Sequence, residues 1–271
     1  MAMSQLERIQ DYFSASAREW QDLYARPQRV NDLVLANRRK LAVEKVSWLI
    51  PPGGRILDAG CGAGLVGLDL VEQGFYVHGL DIAEPMLELA RRRFAERGIA
   101  ESRYAFTSGE MEAAPLEPES FDGIVALGFL EYQVDEAALL RRFRHLLKPG
   151  GVLVVSGPTE IRIANYFGVA TKVRERLMAM NWRKPSAGPY RIGLHRYSPA
   201  RFSNLLQSAG LDLVECQGHG FVEFEGPLRG LPYAGELLLH RALTLLSKFA
   251  PIHRWGNDMI AVAHRPAAAT R

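Results

Sequence analysis

The chain has 271 residues, a length that favours one domain with added segments over two complete domains. Hydrophobic residues make up 48% of it and charged residues 23%, as in ordinary globular proteins, and the net charge of +3 is too small to indicate a nucleic-acid partner. The two cysteines, Cys61 and Cys216, have no Cys or His at metal-ligand spacing, so the sequence indicates neither a metal site nor a disulfide framework.

Apolar residues at helical spacing predict helices over residues 4–50, and the PPGG segment at 51–54 ends that pattern. The first residues lack the apolar core of a signal peptide. No segment approaches the roughly 20 apolar residues that a membrane span needs. We therefore expect a cytoplasmic protein with no integral membrane span.

Strands and helices alternate over the next hundred or so residues. Strands are predicted in RILDAG, YVHGLDI, RYAFTSG, FDGIVALGFL and, after a KPGG turn, GVLVVSGP. Helices are predicted in LVGLDLVEQG, AEPMLELARRRFAERG and DEAALLRRFRHLL. Because apolar strands that alternate with helices form parallel sheets covered on both faces, the pattern predicts a doubly wound α/β fold.

The regular alternation ends near residue 158. Residues 160–181 are predicted to be helical, SPARFSNLLQSAG is a marked helix, and LDLVECQG and DMIAVAHR are two final strands of a mostly parallel, seven-stranded sheet. The apolar helix in AGELLLHRALTLLSKFA has three open interpretations: core or pocket lid, dimer contact, or interfacial membrane helix. The predicted organisation is a helical lid (1–50), a ligand-binding core (51–158), acceptor-binding helices with the last strands (159–265), and a disordered tail (266–271).

Three glycines, Gly60, Gly62 and Gly64, follow the first strand directly. Glycine lets the backbone turn sharply and approach a ligand closely, and the next helix offers free N–H groups. The spacing has Leu65 where a dinucleotide-binding loop has its third glycine, and the carboxylate of Asp58 would repel a pyrophosphate. The loop therefore predicts a ligand that carries positive charge or N–H donors.

A second acidic residue, Asp81, ends the second strand. An acid at the tip of the neighbouring strand, about 20 positions after the loop, accepts hydrogen bonds from ribose hydroxyls. A ligand with a ribose and a cationic or N–H-bearing part satisfies both acids, and S-adenosylmethionine has both features.

These segments resemble the signature of the class I S-adenosylmethionine-dependent methyltransferases. The resemblance rests on ILDAGCGAG, GLDIAEPMLELAR, SGEMEAAPL, FDGIVALGFLEY and LLKPGGVLVVS, in that order. It covers roughly residues 50–156. It implies a Rossmann-like fold with a helical insertion after the fifth strand, S-adenosyl-L-methionine as cofactor and S-adenosyl-L-homocysteine as product.

The resemblance implies which residues hold the methionine end of the cofactor. The three loop glycines would pass under it and Asp58 would orient it. Leu127 and Gly128, after the fourth strand, would line the same side. No residue of this set needs to activate the methyl group, because a sulfonium is already a strong electrophile.

At the adenosine end, the resemblance implies that Asp81 holds the ribose, Ile82 packs on the adenine and Met86 belongs to the same surface. Glu110 stands where the family often has Asp near the adenine amino group. Met111 would offer its backbone N–H to the ring.

The N-terminal segment DYFSASAREWQDLY resembles the lid of porphyrin-type and quinone-type O-methyltransferases. In that interpretation Tyr12, Trp20 and Tyr24 close over the cofactor, and Arg38 meets its carboxylate. The alternative is an amphipathic helix that packs on the sheet.

Candidate bases for the acceptor are few. His195 precedes a helix that should return toward the strand tips, His219 follows the sixth strand, and Glu131 and Tyr132 follow the fourth. A histidine in a loop also has an ordinary structural interpretation. We expect no metal site.

The sequence thus predicts a methyltransferase of small molecules, acting by in-line methyl transfer on an apolar or aromatic natural product, quinone-like or lipid-linked acceptor, most simply at oxygen. It is expected to be a monomer or homodimer. Two other functions stay open: a non-catalytic or regulatory S-adenosylmethionine-binding protein, and an NAD-dependent oxidoreductase, which Asp58 and the missing third glycine disfavour.

Overall fold

The computed structural model describes residues 4–25, 30–160, 195–220, 233–246, 256 and 258–267. Two N-terminal helices, α1 (Gln5–Ala25) and α2 (Val30–Leu49), precede the alternating part. That part contains β1 (Arg55–Ala59), α3 (Leu65–Glu72), β2 (Tyr76–Asp81), α4 (Glu84–Glu96), β3 (Tyr104–Ser108), β4 (Phe121–Ala126), α5 (Glu136–Leu146) and β5 (Leu147–Pro158). The described C-terminal elements are α6 (Pro199–Ser208), β6 (Asp212–His219), α7 (Tyr233–Leu246) and β7 (Asp258–His264).

The seven strands form one sheet in the order β3-β2-β1-β4-β5-β7-β6. Strands β1 to β5 are parallel, whereas β7 runs antiparallel to both β5 and β6. This confirms the mostly parallel, doubly wound α/β fold. Because β2, β1 and β4 are parallel neighbours, their carboxyl ends lie together at one edge of the sheet, where such folds bind ligands.

Both faces of the sheet are buried, which explains why its strands are apolar runs rather than alternating ones. On β1, the consecutive residues Ile56 and Leu57 are fully buried in two different clusters. Leu57 belongs to the face covered by α5 and α6, and Ile56 to the face covered by α2, α3 and α4. Fully burying a side chain of this size contributes about 1.5–3 kcal/mol.

Two boundaries differ from the sequence prediction. The KPGG segment, predicted as a turn, is part of β5, because the pairing of β4 with β5 shifts register between Phe121 and Gly123 and so absorbs the extra residues. A short 3-10 helix, Leu130–Tyr132, follows β4 and was not predicted. The predicted helix at 160–181 and the insertion after the fifth strand fall on residues 161–194, which lie outside the described residues.

Candidate functional site

The glycine loop leaves the carboxyl end of β1 and is fixed from β2. The N–H groups of Gly60 and Cys61 both donate to the carbonyl of Leu80, at 2.8 and 3.0 Å. The Asp81 carboxylate accepts from the N–H of Gly62 at 2.8 Å and from the N–H of Ala83 at 2.9 Å. Asp81 therefore sets the loop conformation and keeps further lone pairs for a ligand hydroxyl, since each carboxylate oxygen has two.

Each loop glycine has positive φ, but the space around the three positions differs. A Cβ on Gly60 would lie 2.5 Å from the Phe129 ring, and a Cβ on Gly64 would lie 2.8 Å from the Cβ of Ala90. A Cβ on Gly62 would meet no atom within 4 Å. Gly60 and Gly64 thus serve packing, whereas Gly62 faces open space in the crevice.

The Asp58 carboxylate is buried under this loop with 3% of the residue exposed. Its Oδ2 atom accepts no hydrogen bond from the part of the chain that the structure describes. The pKa of Asp58 is raised to about 7, chiefly by burial and also by the charge of Asp81, while the nearby N–H of Gly67 opposes the shift. A buried carboxyl without a matching charge is stabilised by a cationic ligand.

A pocket that is partly open to solvent lies over the ends of β1, β2 and β4. Its lining includes eleven of the predicted site residues: Arg38, Asp58, Gly60, Gly62, Asp81, Ile82, Met86, Leu127, Gly128, Glu131 and Tyr132. Further lining residues, none of which was predicted from the sequence to bind a ligand, are Ile9, Phe13, Leu35, Arg39, Cys61, Ala63, Leu65, Val66, Phe129 and Gln133. The structure therefore brings most of the predicted set into one cavity.

On the β4 side, Arg38 of α2 lies against the backbone turn at Gly128. A Cβ on Gly128 would lie 3.1 Å from both terminal guanidinium nitrogens of Arg38. The Arg38 Nη1 donates to Asp258 Oδ2 at 3.0 Å, and the Gly128 N–H donates to the Ser156 hydroxyl at 3.0 Å. Asp258 and Ser156 were missed by the sequence analysis, since no local pattern shows that β7 and β5 lie behind a residue of α2.

Glu131 and Tyr132 lie on the 3-10 helix that follows β4. Glu131 is 7% exposed, and the pKa of its carboxyl is raised to about 8. Burial is the main cause and the charge of Asp258 adds to it, whereas Arg38 opposes the shift. The Tyr132 ring meets the edge of Phe13 with 5.5 Å between ring centroids. This pair joins the β4 side of the pocket to α1.

Helix α1 covers the pocket through Ile9 and Phe13. The Gln10 side-chain amide donates to the carbonyl of Ile82 at 3.4 Å, which ties the helix to the β2 side. Tyr12 packs edge-on against Phe13 at 5.2 Å but is not itself among the lining residues. The side chains of Trp20 and Tyr24 lie outside the described residues.

Other predicted cofactor residues lie away from the cavity lining. Gly64 caps the start of α3, and Met111, 2% exposed, belongs to the core. Glu110 is exposed, and its carbonyl accepts from the N–H of Ala114 at 2.9 Å. A role for Glu110 and the Met111 N–H at the adenine stays a prediction.

His195 is held in a polar cluster behind the pocket. Its Nε2 lies 2.9 Å from the carbonyl of Gln133, and its Nδ1 lies 3.3 Å from Arg201 Nη2 and 3.6 Å from Glu136. These partners assign the proton to Nε2, since a carbonyl only accepts and a guanidinium only donates. His219 is buried beside Asp258, 3.5 Å away.

The site fits a nucleoside that carries a cationic amino acid. The Asp81 carboxylate lies where a ribose would bind, and the backbone at Gly62 allows close approach of a ligand. The buried Oδ2 of Asp58 has no hydrogen-bond partner among the described residues, and a positively charged group would stabilise it. Within the described ranges, no group of three or more His, Cys, Asp or Glu could hold a metal ion. No described helix is both long and apolar enough to cross a membrane.

Comparisons with known proteins agree with this description. The family described as "Methyltransferase domain" matches residues 56–151. The ubiquinone biosynthesis O-methyltransferase of Xylella fastidiosa is 31% identical over 213 residues, which cover 77% of this chain and 79% of that protein. The enzyme of the same name from Dinoroseobacter shibae is 33% identical over 217 residues, 77% of this chain and 84% of that protein.

Solved structures share the fold at low identity. Magnesium protoporphyrin IX methyltransferase from Synechocystis PCC 6803, with bound S-adenosylhomocysteine, superposes with a TM-score of 0.63 at 17% identity, over 97% of this chain and 100% of that one. The [4+2]-cyclase SpnF superposes with a TM-score of 0.67 at 17% identity, over 98% of each chain.

Proposed function

Since the chain belongs to the class I S-adenosylmethionine-dependent methyltransferases, we propose that it methylates a hydroxyl oxygen of a small, largely apolar or aromatic acceptor, of which a quinone-type phenol is the nearest example. The enzyme class and the cofactor follow from the family. The oxygen of the acceptor is supported by the relatives' names, which all describe O-methyltransferases of ubiquinone biosynthesis.

The order of the strands divides the pocket between cofactor and acceptor. Asp81, Ile82 and Met86 lie over β2 and suit the adenosine, and the loop at Gly62 lies over β1. Residues 127–133 lie over β4, on the far side of β1 from β2. A cofactor that extends from β2 across β1 therefore points its sulfur end toward β4, so we place the acceptor there.

The observation that carries the proposal is the composition of this β4 side. Phe13, Leu35 and Phe129 supply an apolar and aromatic wall, and the buried carboxyl group of Glu131 lies among them. Small-molecule sites typically combine such apolar walls with a few polar groups that fix orientation. An apolar ring bearing a hydroxyl matches both features.

The protein's main task is to position the two reactants and to exclude water. S-adenosylmethionine, when bound, supplies an activated methyl group. The chain's residues hold the two reactants in line. Asp81 and the glycine loop fix the cofactor, and the wall around Phe129 fixes the acceptor. Alignment of this kind contributes about 7–11 kcal/mol to lowering a barrier. Helix α1 covers the pocket through Ile9 and Phe13 and limits access of water.

The test is methyl transfer from S-adenosylmethionine carrying a labelled methyl group to a panel of four acceptors. The panel contains a catechol with an apolar chain, a plain catechol, an aryl carboxylate and an aryl amine. We expect label in the ether of the chain-bearing catechol, with a lower KM than for the plain catechol. Transfer only to the amine or to carbon would overturn the proposal. Binding of S-adenosylhomocysteine without transfer to any acceptor would favour the non-catalytic alternative.

A further inference from the structure

We propose that Glu131 is the base that takes the hydroxyl proton of the acceptor, and that the Asp258–Arg38 ion pair beside it controls its ionisation. This rests on the proposed function and adds the residue that makes the oxygen nucleophilic. The starting observation is placement, because Glu131 lies in the pocket wall on the β4 side, where the acceptor must sit.

The backbone that carries Glu131 is fixed from several directions. Leu130 is fully buried in the core, and the N–H groups of Tyr132 and Gln133 donate to the carbonyls of Phe129 and Leu130. The N–H of His195 donates to the carbonyl of Glu131 itself at 3.3 Å. Glu131 therefore occupies a rigid turn, as a group that must meet a reacting atom requires.

One oxygen of the buried Glu131 carboxyl has no hydrogen-bond partner among the described residues. This oxygen is Oε2, and Glu131 is only 7% exposed. Such an oxygen is costly to bury unless a ligand uses it. A buried carboxylate that serves only structure is normally hydrogen-bonded, so an unpartnered carboxyl oxygen in a residue that lines the pocket favours a role toward a ligand.

Charged and titratable groups face Glu131 from each neighbouring element. Asp258 of β7 disfavours its ionised form and Arg38 of α2 favours it, and the two are paired at 3.0 Å. His219 lies behind Asp258 at 3.5 Å, and Tyr197 lies close enough on the other side for Glu131 to raise the pKa of its hydroxyl. With these charges and its burial, the pKa of Glu131 is about 8, near the pH at which a base works best.

Other groups near the acceptor are less suited to take a proton. The Nδ1 lone pair of His195 is directed at Arg201, and its Nε2 carries the proton that Gln133 accepts. The hydroxyl of Tyr197 is buried, and both burial and the nearby Glu136 raise its pKa. His195 is therefore a positioning residue for the turn that carries Glu131.

The proposed step balances as follows. The hydroxyl proton of the acceptor passes to the carboxylate of Glu131, and the freed oxygen electron pair forms the bond to the methyl carbon. The carbon–sulfur bond breaks and its electron pair stays on sulfur. The products are the methyl ether, S-adenosylhomocysteine and protonated Glu131, which returns its proton to solvent.

The direct test is Glu131→Gln, which keeps the shape and removes the base. We expect kcat to fall about 100-fold or more, with the S-adenosylhomocysteine Kd changed less than about threefold. The rise of kcat/KM between pH 6 and 9 in the wild type should be lost. Glu117→Gln, an exposed residue away from the pocket, is the matched control and should retain both rate and profile.

Two further measurements do not depend on turnover of Glu131→Gln. Infrared titration of the ligand-free protein should show protonated carboxyl bands for both Asp58 and Glu131, with pKa values of about 7 and about 8. The component with the higher pKa should be missing in Glu131→Gln, whereas the Asp58 component should remain. Asp258→Asn should move the rise of kcat/KM to lower pH, because it removes the charge that disfavours ionised Glu131. A purely structural role of Asp258 would lower the rate without moving the profile.

The outcomes separate the inference from the proposed function. If the wild type methylates a hydroxyl and Glu131→Gln does so at a similar rate with the same profile, the inference is wrong and the proposed function stands. Absence of the Glu131 infrared component from the wild type also overturns the inference. If the wild type methylates no hydroxyl at all, both are overturned.

Discussion

The glycines of the loop serve two different purposes, which the sequence alone does not distinguish. Gly60 and Gly64 have no room for a Cβ, whereas Gly62 has open space on the pocket side. The three positions share positive φ, so backbone strain is similar at all of them. Of the three positions, only Gly62 can therefore be substituted to test the approach of a ligand without disturbing the packing of the protein.

Gly62→Ala should weaken S-adenosylhomocysteine binding about tenfold or more, because the alanine methyl group would occupy space in which the cofactor approaches the loop backbone. Left-handed strain should cost about 1–2 kcal/mol of unfolding free energy. Calorimetry and denaturant unfolding measure the two effects.

Gly98→Ala is the control, since it has φ +66 and equally open space but lies after α4, outside the pocket lining. It should show the same loss of stability and unchanged binding. Equal binding by the two variants would show that the cofactor does not approach Gly62.

Individual residues were predictable where a local pattern marks them. The loop glycines, Asp58 and Asp81 stand beside apolar strands, so parallel pairing alone places them at one edge. Asp258 was not predictable, because its partner Arg38 lies 220 residues away. His195 was marked as a candidate base, yet its ring partners, Gln133 and Arg201, are set by tertiary packing.

At the scale of elements, strand and helix positions followed from hydrophobic runs and helix-ending glycines. The predicted start of β5 was wrong, because a KPGG segment is typical of a turn. Here the register shift against β4 makes it part of the strand. The covering role of α1 was left open by the sequence. Contacts of Ile9 and Phe13 with the pocket favour the lid interpretation.

Phe13→Ala tests α1 as a lid. The ring meets Tyr12 and Tyr132 edge-on, so its loss should open the pocket and raise the S-adenosylhomocysteine Kd about tenfold. The measurement is calorimetric titration. Trp48→Ala, a large aromatic removed from an 84% exposed site on α2, should leave the Kd unchanged. An unchanged Kd in Phe13→Ala would show that α1 only packs on the sheet.

For the whole molecule, two raised carboxyl pKa values make stability depend on pH. In the folded protein the pKa values of Asp58 and Glu131 are about 7 and about 8, well above the ordinary values of Asp and Glu side chains. As pH rises, the unfolded state therefore loses these protons at lower pH than the folded state does. The free energy of unfolding falls as a result between about pH 4 and pH 8. A cationic ligand should offset this loss, because it favours the ionised carboxylates.

The melting temperature of the ligand-free wild type should fall between pH 5 and pH 9 relative to that of the double variant Asp58→Asn, Glu131→Gln. Thermal unfolding of both proteins in matched buffers measures this difference. S-adenosylmethionine should restore more stability at pH 8 than at pH 6. A difference between the two proteins that does not change with pH would contradict these shifts.

The most direct test of the central claim is calorimetric titration of S-adenosylhomocysteine into the wild type and Asp58→Asn at pH 8. We expect one site per chain in the wild type and about tenfold weaker binding in Asp58→Asn. The ligand-free variant should also have a higher melting temperature than the wild type, because a buried charge has been removed. No binding by the wild type, or equal affinity in the two proteins, would contradict the claim.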